Sequence, residues 1–335
     1  MLLFFLLVAS ACPFVLVGPS PRWAPLRAEK DPVSQALIRK LERIELSRET
    51  EAPGVIDIGE STAYEPRDGR TPWAVVHFVG GAGLGTVPGA AYGYLLGAIA
   101  DAAGVGVVAT PYDLGLDHYE SLRDVQAKFD AALKALKAQR AWEATKVFGL
   151  GHSLGAKLLL LSDDGRYDKV VAVAANNMGV ADSAKLLKEF LIALGGDDDE
   201  AGASSSPTKN KNAALDGLFD LVGMAAAAAG VDVVPSPAET LNRLLGATDV
   251  AFLAFDGDAL DSTDQLADAL PNRPDVVRLP GGHLSCVYIA APFAVGSPAA
   301  VQDVTDAIAR ALQIVNPPAP PTLLSPAKDD DDDDD

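Results

Sequence analysis

Short apolar runs alternate with longer segments of helical periodicity along most of the chain. Six of these runs are four to seven residues long and rich in aliphatic residues, which predicts buried strands. The predicted strands are residues 74–79, 105–110, 147–150, 169–175, 250–255 and 276–279. The predicted helices are residues 92–103, 119–139, 155–161 and 299–314. Because the runs are mainly apolar rather than alternately polar, the pattern predicts an α/β fold whose mostly parallel sheet has helices on both faces.

The alternation of strands and helices is interrupted between residues 178 and 245. This interval contains a helix-like segment, a polar stretch at residues 195–212, and an alanine-rich segment followed by prolines. We predict a helical lid inserted into a single domain that spans residues 50–315, a length sufficient for one large core. The polar stretch is predicted to be disordered because it offers little apolar surface to bury.

An apolar stretch opens the chain and ends in small residues at positions 9–11, the pattern of a cleaved signal. The stretch is too short, and too close to Pro13, to predict a stable membrane span. Residues 1–30 are therefore predicted to be a targeting segment. The basic residues after the cleavage pattern resemble a two-part plastid signal and favour a plastid location. Secretion and lipid attachment at Cys12 are the alternatives.

Acidic residues dominate the charge of the chain and exclude one class of partner. The formal net charge is −19, of which the seven aspartates at 329–335 contribute −7, so the rest of the chain carries −12. Phosphate repulsion therefore argues against nucleic-acid binding, and no basic patch with interleaved aromatic residues opposes that conclusion. The proline-rich and aspartate-rich tail at 316–335 is predicted to be a disordered, solvated segment.

One motif carries a specific chemical prediction. The apolar run at 147–150 leads into Gly-His-Ser-Leu-Gly at 151–155, and helix-forming residues follow at once. This is the pattern of a nucleophile elbow, in which a serine sits on a strained turn between a strand and a helix. The two glycines leave room for backbone that a Cβ would obstruct. The motif predicts Ser153 as a nucleophile.

A serine of this kind needs a histidine to accept its proton and an acid to orient that histidine. Both follow in the expected order, each after a predicted strand. His283 comes after a Pro-Gly-Gly turn and is the predicted base. Three aspartates follow Phe255, and we favour Asp261 as the acid because the chain needs several residues to turn over the strand end. Asp258 is the alternate acid, and Asp256 is the least favoured.

A glycine-rich segment after the strand at 74–79 predicts an oxyanion hole, the pair of amides that would bind the developing negative charge. The expected amide donors are Leu154, which follows the nucleophile, and either Gly81 or Ala82. The alternative interpretation, a phosphate or dinucleotide loop, fails because no Gly-Lys-Ser/Thr follows and the glycine spacing does not match the nucleotide pattern. No cofactor is predicted.

The remaining histidines have simpler interpretations. His77 falls within a predicted strand and is expected in the core, whereas His152 fills the variable elbow position and is expected to pack beside the sheet. His118 stands at a predicted helix start, where capping is the simplest role. Because loops after parallel strands meet at the ligand crevice, Tyr112, Asp117 and His118 are nevertheless candidates for lining a pocket. No pair of histidines or cysteines has the spacing of a metal site.

Several stretches together resemble the domain-of-unknown-function 1350 family of photosynthetic organisms, within the alpha/beta hydrolase superfamily. They are residues 77–82, 109–112, 117–118, 151–155 with Lys157, 176–177, 236–241 and 282–284. The resemblance spans most of residues 73–285 and implies an alpha/beta hydrolase fold. Asn176, in one of these stretches, is a further candidate for lining the pocket.

Together these features predict a serine hydrolase that acts on a small-molecule ester or thioester through an acyl-enzyme. The rival interpretation is a catalytically inactive hydrolase fold that binds a lipid-like ligand or a partner protein, since fold does not fix function. Contact between His283 and Ser153 would favour the enzyme. A peptidase is a further alternative, and a haloalkane-type enzyme is disfavoured because a serine occupies the elbow position that would require an aspartate.

Overall fold

A single sheet organises the protein. The computed structural model describes residues 53–140, 142, 146–180, 182–183, 230–244, 249–289 and 295–313. Within them, eight strands lie in the order β1-β2-β4-β3-β5-β6-β7-β8. The strands are β1 (Val55–Ile58), β2 (Ser61–Tyr64), β3 (Ala74–Val79), β4 (Gly106–Ala109), β5 (Lys146–His152), β6 (Lys169–Val173), β7 (Val250–Phe255) and β8 (Val276–Leu279). Strands β3 to β8 are parallel, which confirms the predicted α/β class.

Two strands were not expected from the sequence. β1 and β2 form an antiparallel hairpin, and β2 pairs antiparallel with β4 at the edge of the sheet. Each has only four residues, and polar positions such as Asp57 and Thr62 interrupt their apolar character. Short edge strands of mixed polarity lack the continuous apolar run that marks a buried parallel strand.

Helices cover both faces of the sheet, as predicted. They are α1 (Pro88–Ala103), α2 (His118–Arg140), α3 (Leu154–Leu160), α4 (Pro237–Arg243), α5 (Thr263–Ala269) and α6 (Pro298–Gln313). Helices α1 and α6 contribute to one apolar core, whereas α2, α3 and α5 contribute to the core on the opposite face. α1 starts at Pro88, before the predicted start at Tyr92, because proline is well suited to the first helical position.

The predicted lid lies mostly outside the described residues, as do the targeting segment and the acidic tail. The two described ends of the insertion are tied together: the backbone N–H of Val180 donates to Asp232 Oδ1 at 2.9 Å. Val180 and Val233 also form a small buried apolar cluster with Leu116 beside them. The insertion therefore leaves and rejoins the domain at one place. None of the described helices has the length and apolar character needed to span a membrane.

Gly155 provides a test of the tight packing between α3 and the end of β3. A Cβ at this position would lie 2.1 Å from the carbonyl oxygen of Val79 and 2.5 Å from that of Gly80, and backbone cannot move aside easily. We expect Gly155→Ala to lower the free energy of unfolding by more than about 3 kcal/mol, measured by urea denaturation.

Gly149→Ala is the matched control for that measurement. Its Cβ would meet only side-chain atoms, at 3.3 Å from Val170 Cγ2 and 3.4 Å from Leu159 Cδ1. Because side chains can adjust, this substitution should lower the free energy of unfolding by less than about 1.5 kcal/mol. Equal losses in the two variants would contradict the assigned backbone clash.

Candidate active site

Ser153 occupies a strained turn between β5 and α3. Its backbone has φ 55° and ψ −120°, a conformation that residues with a Cβ rarely adopt. Gly151 makes the turn possible, because a Cβ there would lie 2.4 Å from the Cα of Ala156. The backbone N–H of Ser153 donates to the carbonyl of Val173 at 3.0 Å and holds the turn against the next strand. This geometry presents the serine side chain at the carboxyl end of the sheet.

His283 lies beside Ser153 and links it to an aspartate. Its Nε2 is 2.9 Å from Ser153 Oγ, and its Nδ1 is 2.7 Å from Asp258 Oδ2. The carboxylate can only accept a hydrogen bond, so Nδ1 carries the proton and Nε2 of the neutral ring is free to accept from the serine hydroxyl. Both side chains are well covered, with exposed fractions of 10% for His283 and 1% for Asp258. The fold therefore brings together three side chains, each of which follows a different strand: β5, β7 or β8.

The preference for Asp261 as the acid is corrected by the structure. Asp258, the alternate candidate, makes the contact with His283. Three residues after Phe255 suffice, because the backbone N–H of Gly257 donates to the carbonyl of Gly281 at 2.8 Å and closes the turn between the two loops. Asp261 instead accepts hydrogen bonds from the backbone and hydroxyl of Thr263 at the start of α5. Burial raises the pKa of Asp261 above its ordinary value. The least favoured candidate, Asp256, is exposed.

The glycine-rich loop after β3 lies against the nucleophile. A Cβ on Gly81 would be 3.1 Å from the Cβ of Ser153, so the loop backbone passes directly beside the serine. The backbone N–H of Gly81 already donates to Tyr92 Oη at 3.0 Å. Of the two loop residues considered from the sequence, Ala82 is therefore the better candidate to donate, together with Leu154, to a substrate oxygen.

Two residues of this site were not predicted to take part in it. Tyr92, on α1, is hydrogen-bonded to Nδ1 of His152 at 2.9 Å, and Nε2 of His152 is 2.9 Å from the carbonyl oxygen of His283. Burial lowers the pKa of His152 to about 3, so its ring is neutral. No sequence pattern marks these contacts, because they join residues 60 and 131 positions apart.

A cavity of about 600 Å³ opens beside the serine and the histidine. Its apolar walls come from the loop after β3, the loops after β7 and β8, and the start of α6. The apolar side chains that border it are Ala82, Leu84, Leu260, Leu284, Val295 and Ala300. None of the described residues around it carries a carboxylate, ammonium or guanidinium group. The cavity therefore suits an uncharged, apolar group.

A family profile described as "Protein of unknown function (DUF1350)" matches residues 67–311, which is most of the chain. The chain belongs to this family. No curated protein matches the sequence of this DUF1350 protein.

Solved structures with the same fold show how distant the structural relatives are. A mutant of the esterase rPPE has a TM-score of 0.52 and 14% identity, covering 89% of this chain and 92% of its own. The hyperthermophilic esterase of the archaeon Pyrobaculum calidifontis has a TM-score of 0.50 and 14% identity, covering 88% and 99%. A fungal esterase from Rhizomucor miehei has a TM-score of 0.50 and 14% identity, covering 88% and 98%. These similarities establish that the DUF1350 protein has the alpha/beta hydrolase fold.

The four residues considered for the pocket lining lie elsewhere in the DUF1350 protein. Tyr112 is buried and donates its hydroxyl hydrogen to the carbonyl of Gly80 at 3.0 Å. Asp117 accepts from the first backbone N–H groups of α2, the usual task of a cap. His118 is buried, and Asn176 Oδ1 accepts from the backbone N–H of Met178 in the same loop at 2.8 Å. Hydrogen bonds within the fold therefore engage the side chains of Tyr112, Asp117 and Asn176. None of the four residues borders the described cavity, which lies beside the loops after β3, β7 and β8 and the start of α6.

Potential metal ligands do not cluster in the described part of the DUF1350 protein. Within it, no group of three or more histidine, cysteine, aspartate or glutamate side chains is arranged to hold a metal ion.

Lys157 lies in one of the stretches that resemble the family. It is buried and donates to the carbonyl of Pro235 at 3.2 Å. Burial lowers the pKa of this lysine to about 8.

Proposed function

We propose that this DUF1350 protein is a serine hydrolase that cleaves a small-molecule ester or thioester through an acyl-enzyme on Ser153. The observation that carries the proposal is the continuous contact from Asp258 to His283 to Ser153 at the mouth of an apolar cavity. A buried carboxylate, an oriented imidazole and a serine on a strained elbow are the parts that nucleophilic acyl transfer requires.

The proposed reaction follows from the direction of these hydrogen bonds. As Ser153 Oγ attacks the substrate carbonyl carbon, its proton passes to Nε2 of His283, and Asp258 stabilises the resulting imidazolium. The amides of Leu154 and Ala82 are proposed to bind the oxygen that becomes negative. When the tetrahedral intermediate collapses, the bond to the leaving group breaks and His283 returns the proton to that group. Water then attacks the acyl-enzyme and gives a proton to His283. The bond to Ser153 Oγ breaks, the acid is released, and His283 returns the proton to the serine.

The cavity narrows the proposed substrate class. Its described border is apolar apart from the reacting groups, backbone and small hydroxyls, so a charged acyl group would lose its hydration without gaining a partner. An apolar acyl chain would instead gain roughly 0.8 kcal/mol for each buried methylene group. We therefore propose an uncharged substrate with an apolar acyl chain.

Labelling by a fluorophosphonate probe tests the proposed nucleophile directly. The full-length protein is treated with the probe, digested and analysed by mass spectrometry, with a Ser153→Ala variant treated in parallel. Modification confined to Ser153 is expected, because only a serine paired with a base reacts rapidly with such a probe. A folded protein that takes up no probe would contradict the proposal and favour the alternative, an inactive hydrolase fold that binds a lipid-like ligand in the same cavity.

Ala300 offers a test of the proposed acyl site. It lies on the first turn of α6 and borders the cavity, so Ala300→Trp should fill part of the space available to the acyl chain. We expect the ratio of kcat/KM for octanoyl over acetyl p-nitrophenyl esters to fall by about tenfold or more. Ala299→Trp is the control, because Ala299 is exposed and does not border the cavity. Equal chain-length profiles in the two variants would contradict this assignment.

A further inference from the structure

A continuous chain of hydrogen bonds joins the oxyanion loop to the backbone of the proposed catalytic histidine. The Gly81 amide is 3.0 Å from Tyr92 Oη, Tyr92 Oη is 2.9 Å from His152 Nδ1, and His152 Nε2 is 2.9 Å from the carbonyl oxygen of His283. Tyr92 and His152 are both buried, with exposed fractions of 0% and 2%. Tyr92 lies on α1 and His152 lies on β5, and neither residue has a role in the reaction proposed above.

The chemistry of each group determines the direction of every bond in this chain. An amide only donates, so Tyr92 Oη accepts from Gly81 and directs its own hydrogen to His152 Nδ1. A carbonyl only accepts, so His152 Nε2 must carry the hydrogen that reaches His283. This assignment requires a neutral His152 ring with its proton on Nε2, which agrees with the low pKa that burial imposes on this residue. Each donor and acceptor in this series of hydrogen bonds, from the Gly81 amide to the His283 carbonyl, then has a partner.

We propose that Tyr92 and His152 are positioning residues that fix the oxyanion loop and the His283 backbone relative to Ser153. The proposal rests on the proposed hydrolase function and adds to it. His283 is then held at three points: Asp258 binds Nδ1, Ser153 faces Nε2, and His152 holds the carbonyl. The rings of His152 and His283 are also close, with centroids 4.9 Å apart.

The same contacts select the amide that can bind the substrate oxygen. Because Tyr92 Oη accepts the hydrogen of the Gly81 amide, that N–H already has a partner, and the amide of the neighbouring residue Ala82 is left to bind the substrate oxygen. Removing the Tyr92 hydroxyl leaves the Gly81 amide without its acceptor and His152 Nδ1 without its donor. Both the oxyanion loop and the histidine backbone would lose a fixed contact, and small displacements of reacting groups reduce rates strongly.

A second buried tyrosine–histidine pair provides a matched control. His77 Nδ1 is 2.7 Å from Tyr167 Oη and its Nε2 is 2.8 Å from Thr110 Oγ1, while its ring stacks on Phe129. His77 is fully buried, as expected for its place in β3, and burial lowers its pKa to about 3 as well. This pair has the chemistry of the Tyr92–His152 pair but borders no part of the described cavity.

The test compares Tyr92→Phe with Tyr167→Phe in the full-length protein. Each removes one hydroxyl from a buried hydrogen bond, so we expect each to lower the thermal midpoint by a few degrees. Only Tyr92→Phe should reduce kcat, by about 10- to 100-fold, with KM nearly unchanged because the ring that borders the cavity remains. A purely structural role for Tyr92 predicts lower stability in both variants and unchanged kcat in both, and that result would overturn the proposal.

Two substitutions of His152 give a further readout. Glutamine carries an acceptor oxygen and a donor nitrogen side by side, whereas leucine carries neither. We expect His152→Gln to retain more of kcat than His152→Leu, at temperatures where both are folded. If the two variants have the same kcat, the hydrogen bonds of His152 contribute nothing to positioning and the proposal fails.

The outcomes separate this proposal from the function on which it rests. A wild-type protein that is not labelled at Ser153 would overturn the proposed function. A labelled wild type, with kcat equal in Tyr92→Phe and Tyr167→Phe, would overturn the positioning role alone. Ring-nitrogen NMR of labelled histidines provides a readout independent of turnover: the His283 signals should move in Tyr92→Phe and stay in place in Tyr167→Phe. Unmoved His283 signals in both variants would contradict the link whether or not the protein turns over.

Discussion

Ser153→Ala is expected to reduce kcat toward ester substrates by about 10⁴-fold or more, because among the described residues Ser153 carries the hydroxyl that is hydrogen-bonded to His283 Nε2. Ser153 Oγ is the atom placed 2.9 Å from His283 Nε2, and the strained elbow presents it at the cavity. Without the hydroxyl, His283 has no proton to accept and can at most assist direct attack by water. The measurement is kcat with a p-nitrophenyl ester, together with loss of fluorophosphonate labelling.

The stability of Ser153→Ala should stay close to that of the wild type. Alanine also carries a Cβ, so the strain at φ 55° is retained, and only the hydrogen bond to His283 is lost, worth about 1 kcal/mol. Ser162→Ala is the control, since Ser162 lies just beyond the other end of α3 and its hydroxyl donates to Asp164. It should keep full activity. Turnover by Ser153→Ala at the rate of Ser162→Ala would exclude Ser153 as the nucleophile.

Local signals were enough to predict the framework of this protein. The strands at 74–79 and 250–255 are buried runs with little polar interruption, and the structure has them at those positions. The elbow is equally local, because Gly151 and Gly155 relieve clashes with backbone only a few residues away or in the adjoining strand end. Where adjacent residues determine the conformation, the sequence carries the signal.

Other features depend on contacts that the sequence does not reveal. The choice between Asp258 and Asp261 follows from the pairing of the loops after β7 and β8, in which Gly257 donates to Gly281. Tyr92 belongs to a helix whose apolar character predicts packing, and only the folded chain brings its hydroxyl to His152. The hairpin of β1 and β2 is stabilised by its place at the sheet edge rather than by its composition.

Asp258→Asn is expected to reduce kcat by about 10⁴-fold, whereas Asp261→Asn should leave it close to the wild-type value. The amide nitrogen of asparagine can donate to His283 Nδ1, which places the ring proton on Nε2, facing Ser153. A ring in that tautomer cannot accept the serine proton, and no negative charge stabilises the imidazolium. Asparagine at 261 can still accept from the backbone N–H of Thr263, so the start of α5 keeps its hydrogen bond.

The stability of Asp261→Asn provides a second readout. Burial raises the pKa of Asp261, so the stability that this group contributes is present at acidic pH, where it is protonated, and is lost as the pH rises through the folded-state pKa. The neutral asparagine of Asp261→Asn escapes that loss. The stability of this variant relative to the wild type should therefore be greater at neutral pH than in acid, as measured by urea denaturation at both. Loss of turnover in Asp261→Asn, with activity retained in Asp258→Asn, would return the role of the acid to Asp261.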